Sequence, residues 1–227
     1  MAARSRETTD RIINAARSCL LASGYANLST RRVADAAGVP LSQIHYHFGG
    51  KAGLVLALLE EENRRLLDRQ RQLYGADTPL WQRYDQACDF LEEDLASGYV
   101  RVLQEMVAAG WSDDTVAHQV LAQLRAWFVV LEEVAGQAET RFGSLGPFSA
   151  TEVSTLVALS FLGGETLILL GERDWGTRVR GALRSVGRLI RTLEEPGWLD
   201  EQRGRRRPRE RRTATAADTS AGRAPGR

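Results

Sequence analysis

Apolar residues recur at three- and four-residue spacing through most of this chain, and no useful stretch alternates with period two. That period predicts helices throughout. Ile12, Ala16 and Leu20 form one stripe with Ile13 and Leu21 beside it, predicting an amphipathic helix over 8–23 that Gly24 ends. Ser29 or Thr30 is placed to cap a short helix to 37, with Val33 and Ala34 inward, before Gly38 stops it. A third short helix is expected from about 40 to 47, with Pro40 in its first turn, where a missing N–H costs little. After Gly49-Gly50, Leu54, Val55, Leu58 and Leu59 begin a long helix that runs on through a charged stretch over 60–71. Further helices read over 79–96, 99–109, 113–141, 150–171 and 176–194, and Ser149-x-x-Glu152 is a capping box opening the fourth of these.

Two late helices differ in pattern. The one over 150–171 is apolar nearly all round, which asks for burial on two sides. The one over 176–194 carries Val179, Leu183, Val186, Leu189, Ile190 and Leu193 along one side. Beyond Pro196-Gly197 large apolar residues almost vanish. The tail over 199–227 cannot offset its ordering entropy and is expected to be disordered.

Of the 227 residues, 43% are hydrophobic and 26% charged, as in ordinary globular proteins. No apolar run is expected to reach the ~20 residues that span a bilayer, and the N-terminus has no signal-peptide pattern. A cytoplasmic protein with no membrane partner is therefore expected. Cys19 and Cys88 lie in helical patterns and read as small core residues. The net charge of +1 conceals an uneven distribution: residues 1–51 carry net +4, residues 52–200 net −9 and residues 201–227 net +6. A basic head and tail on an acidic body point to a polyanion at the ends only. The arginine-rich tail reads first as a solubilising end.

The most specific chemistry lies between Thr30 and Glu60. Two short helices separated by Ala37-Gly38-Val39 form a helix–turn–helix, and the second suits a DNA major groove. Its Leu41, Ile44 and Phe48 fall toward one side, with Ile44 and Phe48 expected to pack on the first two helices. Ser42, Gln43, His45, Tyr46 and His47 are left as a polar wall. Glutamine can bond bidentately to adenine, and serine or histidine can reach base edges. Tyr46, Thr30 and Lys51 suit phosphate oxygens, and Arg31 adds a cation beside them. Lys51 opens a helix, where backbone N–H groups already attract anions. His45 and His47 point about 200° apart on a helix, so no shared metal is expected.

This segment resembles the DNA-binding domain of TetR-family transcriptional regulators. The resemblance rests on Ala15-Ala16, Gly24-Tyr25, Ser29-Thr30, Val33-Ala34, Ala37-Gly38-Val39, Ile44, Tyr46-His47-Phe48, Lys51 and Leu54. It covers about residues 8–60; the rest agrees in architecture only. It departs from the family at Pro40-Leu41, at His45, and at Gly49-Gly50 and Gly53, which leaves the base preference open. The resemblance implies an all-α fold of about nine helices. A three-helix DNA-binding domain over 1–52 would be joined by a long helix to an effector-binding and dimerisation domain over 53–198. It also implies a homodimer on palindromic operator DNA and a small-molecule effector, acting most simply as a repressor.

In the C-terminal helices, Trp81, Tyr84, Phe90, Tyr99, Met106, Trp111, Trp127 and Phe161 are candidates to line a cavity for a lipophilic ligand. Residue by residue the competing reading is ordinary core. Glu105, His118 and Glu165 are candidate polar contacts. By resemblance, Leu156, Leu167, Leu183, Val186 and Ile190 mark the dimer interface. No cofactor is expected. No G-x-S-x-G, P-loop, paired metal ligands or Cys/His pair occurs, so the chain does not read as an enzyme. The alternative is a helical carrier or interaction protein in which the helix–turn–helix only packs.

Overall fold

The structure, a computed structural model, describes residues 2–200. Most of the expected tail over 199–227 lies outside them. The helices are α1 (Ala2–Ser23), α2 (Thr30–Ala37), α3 (Leu41–Phe48), α4 (Lys51–Tyr74), α5 (Leu80–Ser97), α6 (Tyr99–Gly110), α7 (Asp114–Phe142), α8 (Ala150–Leu169) and α9 (Arg173–Glu194). No strand occurs among the described residues. The sequence period thus predicts each helix, with ends a few residues out. The largest difference is α1, which starts well before residue 8 because nothing in its first turns breaks a helix.

The helices pack around one main core. Ile12, Ala16 and Leu20 from α1 meet Val33 and Ala34 from α2, Ile44 from α3 and Leu54, Leu58 and Leu59 from α4. The core continues through Val100, Leu103 and Met106 of α6 into Phe161 of α8 and Leu183 of α9. A smaller cluster of Leu67, Tyr74, Ala87 and Val130 lies among α4, α5 and α7. Cys88 is buried in the main core, and burial pushes its thiol up to about 11, which leaves it unreactive as a small core residue.

Polar groups tie the far ends together. The nearly buried Glu194 carboxylate of α9 accepts the Leu80 and Trp81 amides at 3.0 and 2.9 Å, capping α5, and pairs with Arg141 of α7 at 2.8 Å. Buried Arg83 donates to the Tyr74 carbonyl at 2.6 Å and to Gln137 Oε1 at 3.1 Å, so it closes the C-terminus of α4. Ser149 and Glu152 form the expected capping box. Ser29 precedes α2 as its cap residue, though its side chain makes no capping bond.

The apolar α8 corrects one expectation. Its 20 residues are long and apolar enough, by length and composition, to cross a membrane. Ser, Thr and Gly residues interrupt the run and conceal this in the sequence. In the fold α8 packs on α7 and α9, and Gly164 faces Val179, whose Cγ1 would lie 2.7 Å from an added Cβ. Gly163 faces outward with open space beside it.

Candidate functional site

The helix–turn–helix is built from α2 and α3 with α1 behind them. Fully buried Ile44 anchors α3, and half-buried Phe48 packs against the same core. Ser42, His45 and Tyr46 are left exposed, Tyr46 to 81%, while Gln43 and His47 are half-buried at the edge of that face. Tyr46 and His47 meet edge to face at 5.0 Å. Leu41, at the start of α3, is also exposed. Thr30 begins α2, and Arg31 and Arg32 project from its first turn. Arg11 is different: it bonds the Ala37 and Gly38 carbonyls, so its charge holds the turn between α2 and α3.

Lys51 opens α4. Its ammonium donates to the Ala26 carbonyl at 3.2 Å and lies 4.5 Å from the centre of the Tyr25 ring. That cation–π contact fixes the charge beside the N-terminus of α4. The glycines that depart from the family pattern have a physical cause here. Gly49 and Gly50 have φ of 72° and 143°, in the region that favours glycine. A Cβ on Gly53 would stand 2.0 Å from the Phe48 carbonyl oxygen. Only glycine lets α4 pass so close under the end of α3.

The C-terminal helices hold two neighbouring chambers. The larger, of about 460 Å³, lies among α5, α7, α8 and α9. Its walls are Leu80, Tyr84, Val134, Ala138, Phe142, Leu145, Phe148, Val157, Leu189 and Leu193, with other apolar residues and no charged group. The smaller, of about 30 Å³, lies among α4, α5, α7 and α8 and includes Gln70, Phe90, Asp94, Trp127, Phe161 and Glu165.

The eight aromatic and Met candidates therefore separate. Tyr84 lines the large chamber; Phe90, Trp127 and Phe161 line the small one. The other four line neither. Trp81 is held between α5 and α9, donating to Glu195 Oε1 at 3.0 Å under the Arg191 guanidinium. Tyr99 is buried and donates to Asn63 Oδ1 at 3.4 Å. Met106 is solid core, and Trp111 is 82% exposed beyond the end of α6. Aromatic residues alone cannot reveal the chamber, because aliphatic side chains from α5, α7, α8, α9 and the loop before α8 make most of its wall. Periodicity puts those residues inward without telling core from cavity.

The polar candidates also separate. Glu165 is buried at the small chamber, where burial pushes its carboxyl up to about 7 against a hydrogen bond from Gln104. Glu105 instead accepts the Tyr25 amide at 2.9 Å at the junction with α1. His118 is exposed and bonds the Asp114 carbonyl.

The expected interface residues divide likewise. Leu156 and Leu167 of α8 are exposed, with Leu159 and Leu170. Leu183 is buried in the protomer's own core, and Val186 and Ile190 line the large chamber. Burial in its own core takes Leu183 away from the surface a partner would meet, while Val186 and Ile190 keep part of theirs. A single stripe at three- and four-residue spacing first serves its own domain; here Leu189 and Leu193 also edge the large chamber, though both stay more than half exposed.

A sequence model of bacterial regulatory proteins of the tetR family matches residues 12–58. No curated protein matches the chain. Solved structures share the fold. A TetR-family transcriptional regulator from Rhodococcus sp. is 19% identical with a TM-score of 0.69, covering 82% of this chain and 98% of its own. The regulator FadR from Bacillus subtilis, in complex with stearoyl-CoA, is 13% identical with a TM-score of 0.67, covering 79% and 96%. A transcriptional regulator from Saccharomonospora viridis, in complex with choline, is 19% identical with a TM-score of 0.67, covering 84% and 97%.

Proposed function

Because this chain belongs to the tetR family of bacterial regulatory proteins, through its residues 12–58, we propose that it is a ligand-responsive repressor. It acts as a homodimer that holds a palindromic operator through α3 and releases it when an apolar small molecule fills the large chamber. Its place of work is the cytoplasm, where the DNA is. The carrying observation is the exposed polar face of α3, seated on Ile44 beside Lys51. Eight of the polar or charged side chains from Thr30 to Lys51 suit both base edges and phosphates. Gln43 and His45 read bases; Thr30, Arg31, Tyr46 and Lys51 hold the backbone; Ser42 and His47 support either role.

The exposed leucines of α8 support a twofold pair, since an apolar stripe of that length calls for a partner. Such a pair reads half-sites about one helical turn apart, roughly 34 Å. The domain over 1–52 meets the domain over 53–198 within α4, so tilting α4 changes the spacing of the two reading heads. Relatives of this fold hold stearoyl-CoA in one case and choline in another, which supports a small-molecule effector here. The chamber's apolar walls favour a lipophilic one.

The test is a mobility shift on the DNA flanking the chain's own gene. Wild type is expected to bind as a dimer, and Gln43→Ala with Tyr46→Ala to lose binding while melting at the same temperature. Binding that survives in the double variant defeats the assignment of α3. If DNA-bound and effector-bound dimers show equal head separation, the release mechanism is wrong.

A further inference from the structure

The two chambers share lining residues. Tyr74 and Leu131 line both of them. Tyr84 of the large chamber meets Phe161 of the small one edge to face, with ring centres 6.2 Å apart. The Tyr84 hydroxyl is buried with no hydrogen-bond partner in the protein. Buried polar atoms are nearly always satisfied, so this one points to a partner supplied from elsewhere.

The two chambers differ in chemistry. The large one is apolar and uncharged. The charged groups on the small one are both carboxylates. Asp94 is already neutralised: Arg69 grips it at 2.8 and 2.7 Å and lies over the Phe90 ring. Glu165 is not. Gln104 donates to its Oε2 at 3.2 Å, and among the described residues no cation pairs with it. Around it Trp127 and Phe161 stand nearly perpendicular, ring centres 6.5 Å apart, and the Trp127 N–H is taken up by Gln70 Oε1 at 2.9 Å. An unpaired buried carboxylate among aromatic faces is a receptor for a cation. With about 10–15 Å³ needed per water-sized group, the 30 Å³ chamber takes an ammonium group rather than a bulky head. Nearby Arg83, which could favour an anion, lines neither chamber and is engaged by the Tyr74 carbonyl and Gln137.

We propose that the two chambers are one site for a lipophilic primary amine, its apolar body in the large chamber and its ammonium group beside Glu165. This rests on the reading of the large chamber as the effector site. Joining the compartments takes movement of Leu131 and Tyr74, the two side chains that line both.

Calorimetric titration of the full chain with decylamine, decan-1-ol and decanoate, at mildly alkaline pH, tests it. Decylamine is expected to bind about tenfold tighter than decan-1-ol, with decanoate weakest. Glu165→Gln keeps an acceptor for Gln104 and should bring the amine to the alcohol's affinity without changing the alcohol's. The wild-type order of the three probes reads the head preference even if the variant fails to fold. Equal binding of amine and alcohol, tighter binding of decanoate, or an unchanged amine preference in a folded Glu165→Gln overturns the amine assignment. In that case decan-1-ol binding that is lost in Ala138→Phe leaves the large chamber standing as the effector site. If neither amine nor alcohol binds wild type, both readings fall together.

Discussion

The Glu105 carboxylate of α6 accepts the backbone N–H of Tyr25 at 2.9 Å, holding the turn that follows α1. Arg101, one turn earlier, donates to the Leu21 carbonyl at 3.2 Å and pairs with Glu105 at 3.6 Å. The same helix presents Gln104 to Glu165 at 3.2 Å. One helix thus touches the turn after α1 and the small chamber together, a continuous packed path for coupling between the two ends. Glu105→Ala is expected to keep effector binding and DNA binding but to cut the effector's influence on DNA affinity several-fold. Operator affinity measured with and without effector, in both proteins, checks this; an unchanged ratio would remove Glu105 from the coupling.

The proposed role of Lys51 is to meet a phosphate. Replacing it with alanine should weaken binding to all sequences alike and reduce the salt slope by about one per protomer. Titrations at several salt concentrations give the slope. A sequence-selective loss instead would make Lys51 a base reader.

Gly53 admits no side chain. With its Cβ 2.0 Å from the Phe48 carbonyl oxygen, Gly53→Ala must push α3 away from α4. The cost is about 1–3 kcal/mol of stability, together with loss of operator affinity as the polar face of α3 shifts. Thermal melting and mobility shift report the two effects separately.

Glu165 makes stability depend on pH. Burial, helped by nearby Asp94 and opposed by the Gln104 hydrogen bond, raises its carboxyl from 4.5 to about 7. Tyr99 on α6 also faces it, and Arg69 of α4 is taken up by Asp94. The folded protein therefore keeps a proton that the unfolded chain has released. This contribution is complete below about pH 4.5 and is lost as pH rises through about 7. Glu165→Gln removes the dependence, and above neutral pH it should be the more stable protein, by on the order of 1–3 kcal/mol. Denaturant unfolding of both across that range decides it: parallel curves would mean that Glu165 does not titrate there.

Ala138 lies on the wall of the large chamber. Ala138→Phe places a ring in that space and should add about 1 kcal/mol of stability while abolishing the response to effector. Operator binding should remain. A variant that still releases DNA on effector addition would move the effector elsewhere.

The helices were legible because burial of one face imposes a local period, and Ile12, Ala16, Leu20 and Ile44 keep it without interruption. The exposed Ser42, His45 and Tyr46 were legible for a related reason: on an eight-residue helix they lie away from the side that packs through Ile44 and Phe48. Leu183, Val186 and Ile190 are not told apart by the sequence, because inward spacing is the same for a core, a cavity wall and an interface.

The sequence by itself determined the all-helical architecture and the short polar α3, both set by neighbours three or four residues apart, and the asymmetric charge, which composition alone fixes. Only the tertiary structure decided which apolar residues bound a cavity, that Glu165 lacks a cation while Asp94 has Arg69, and that Glu105 reaches Tyr25. Those relations join residues far apart in the chain, and they depend on how closely helices approach one another.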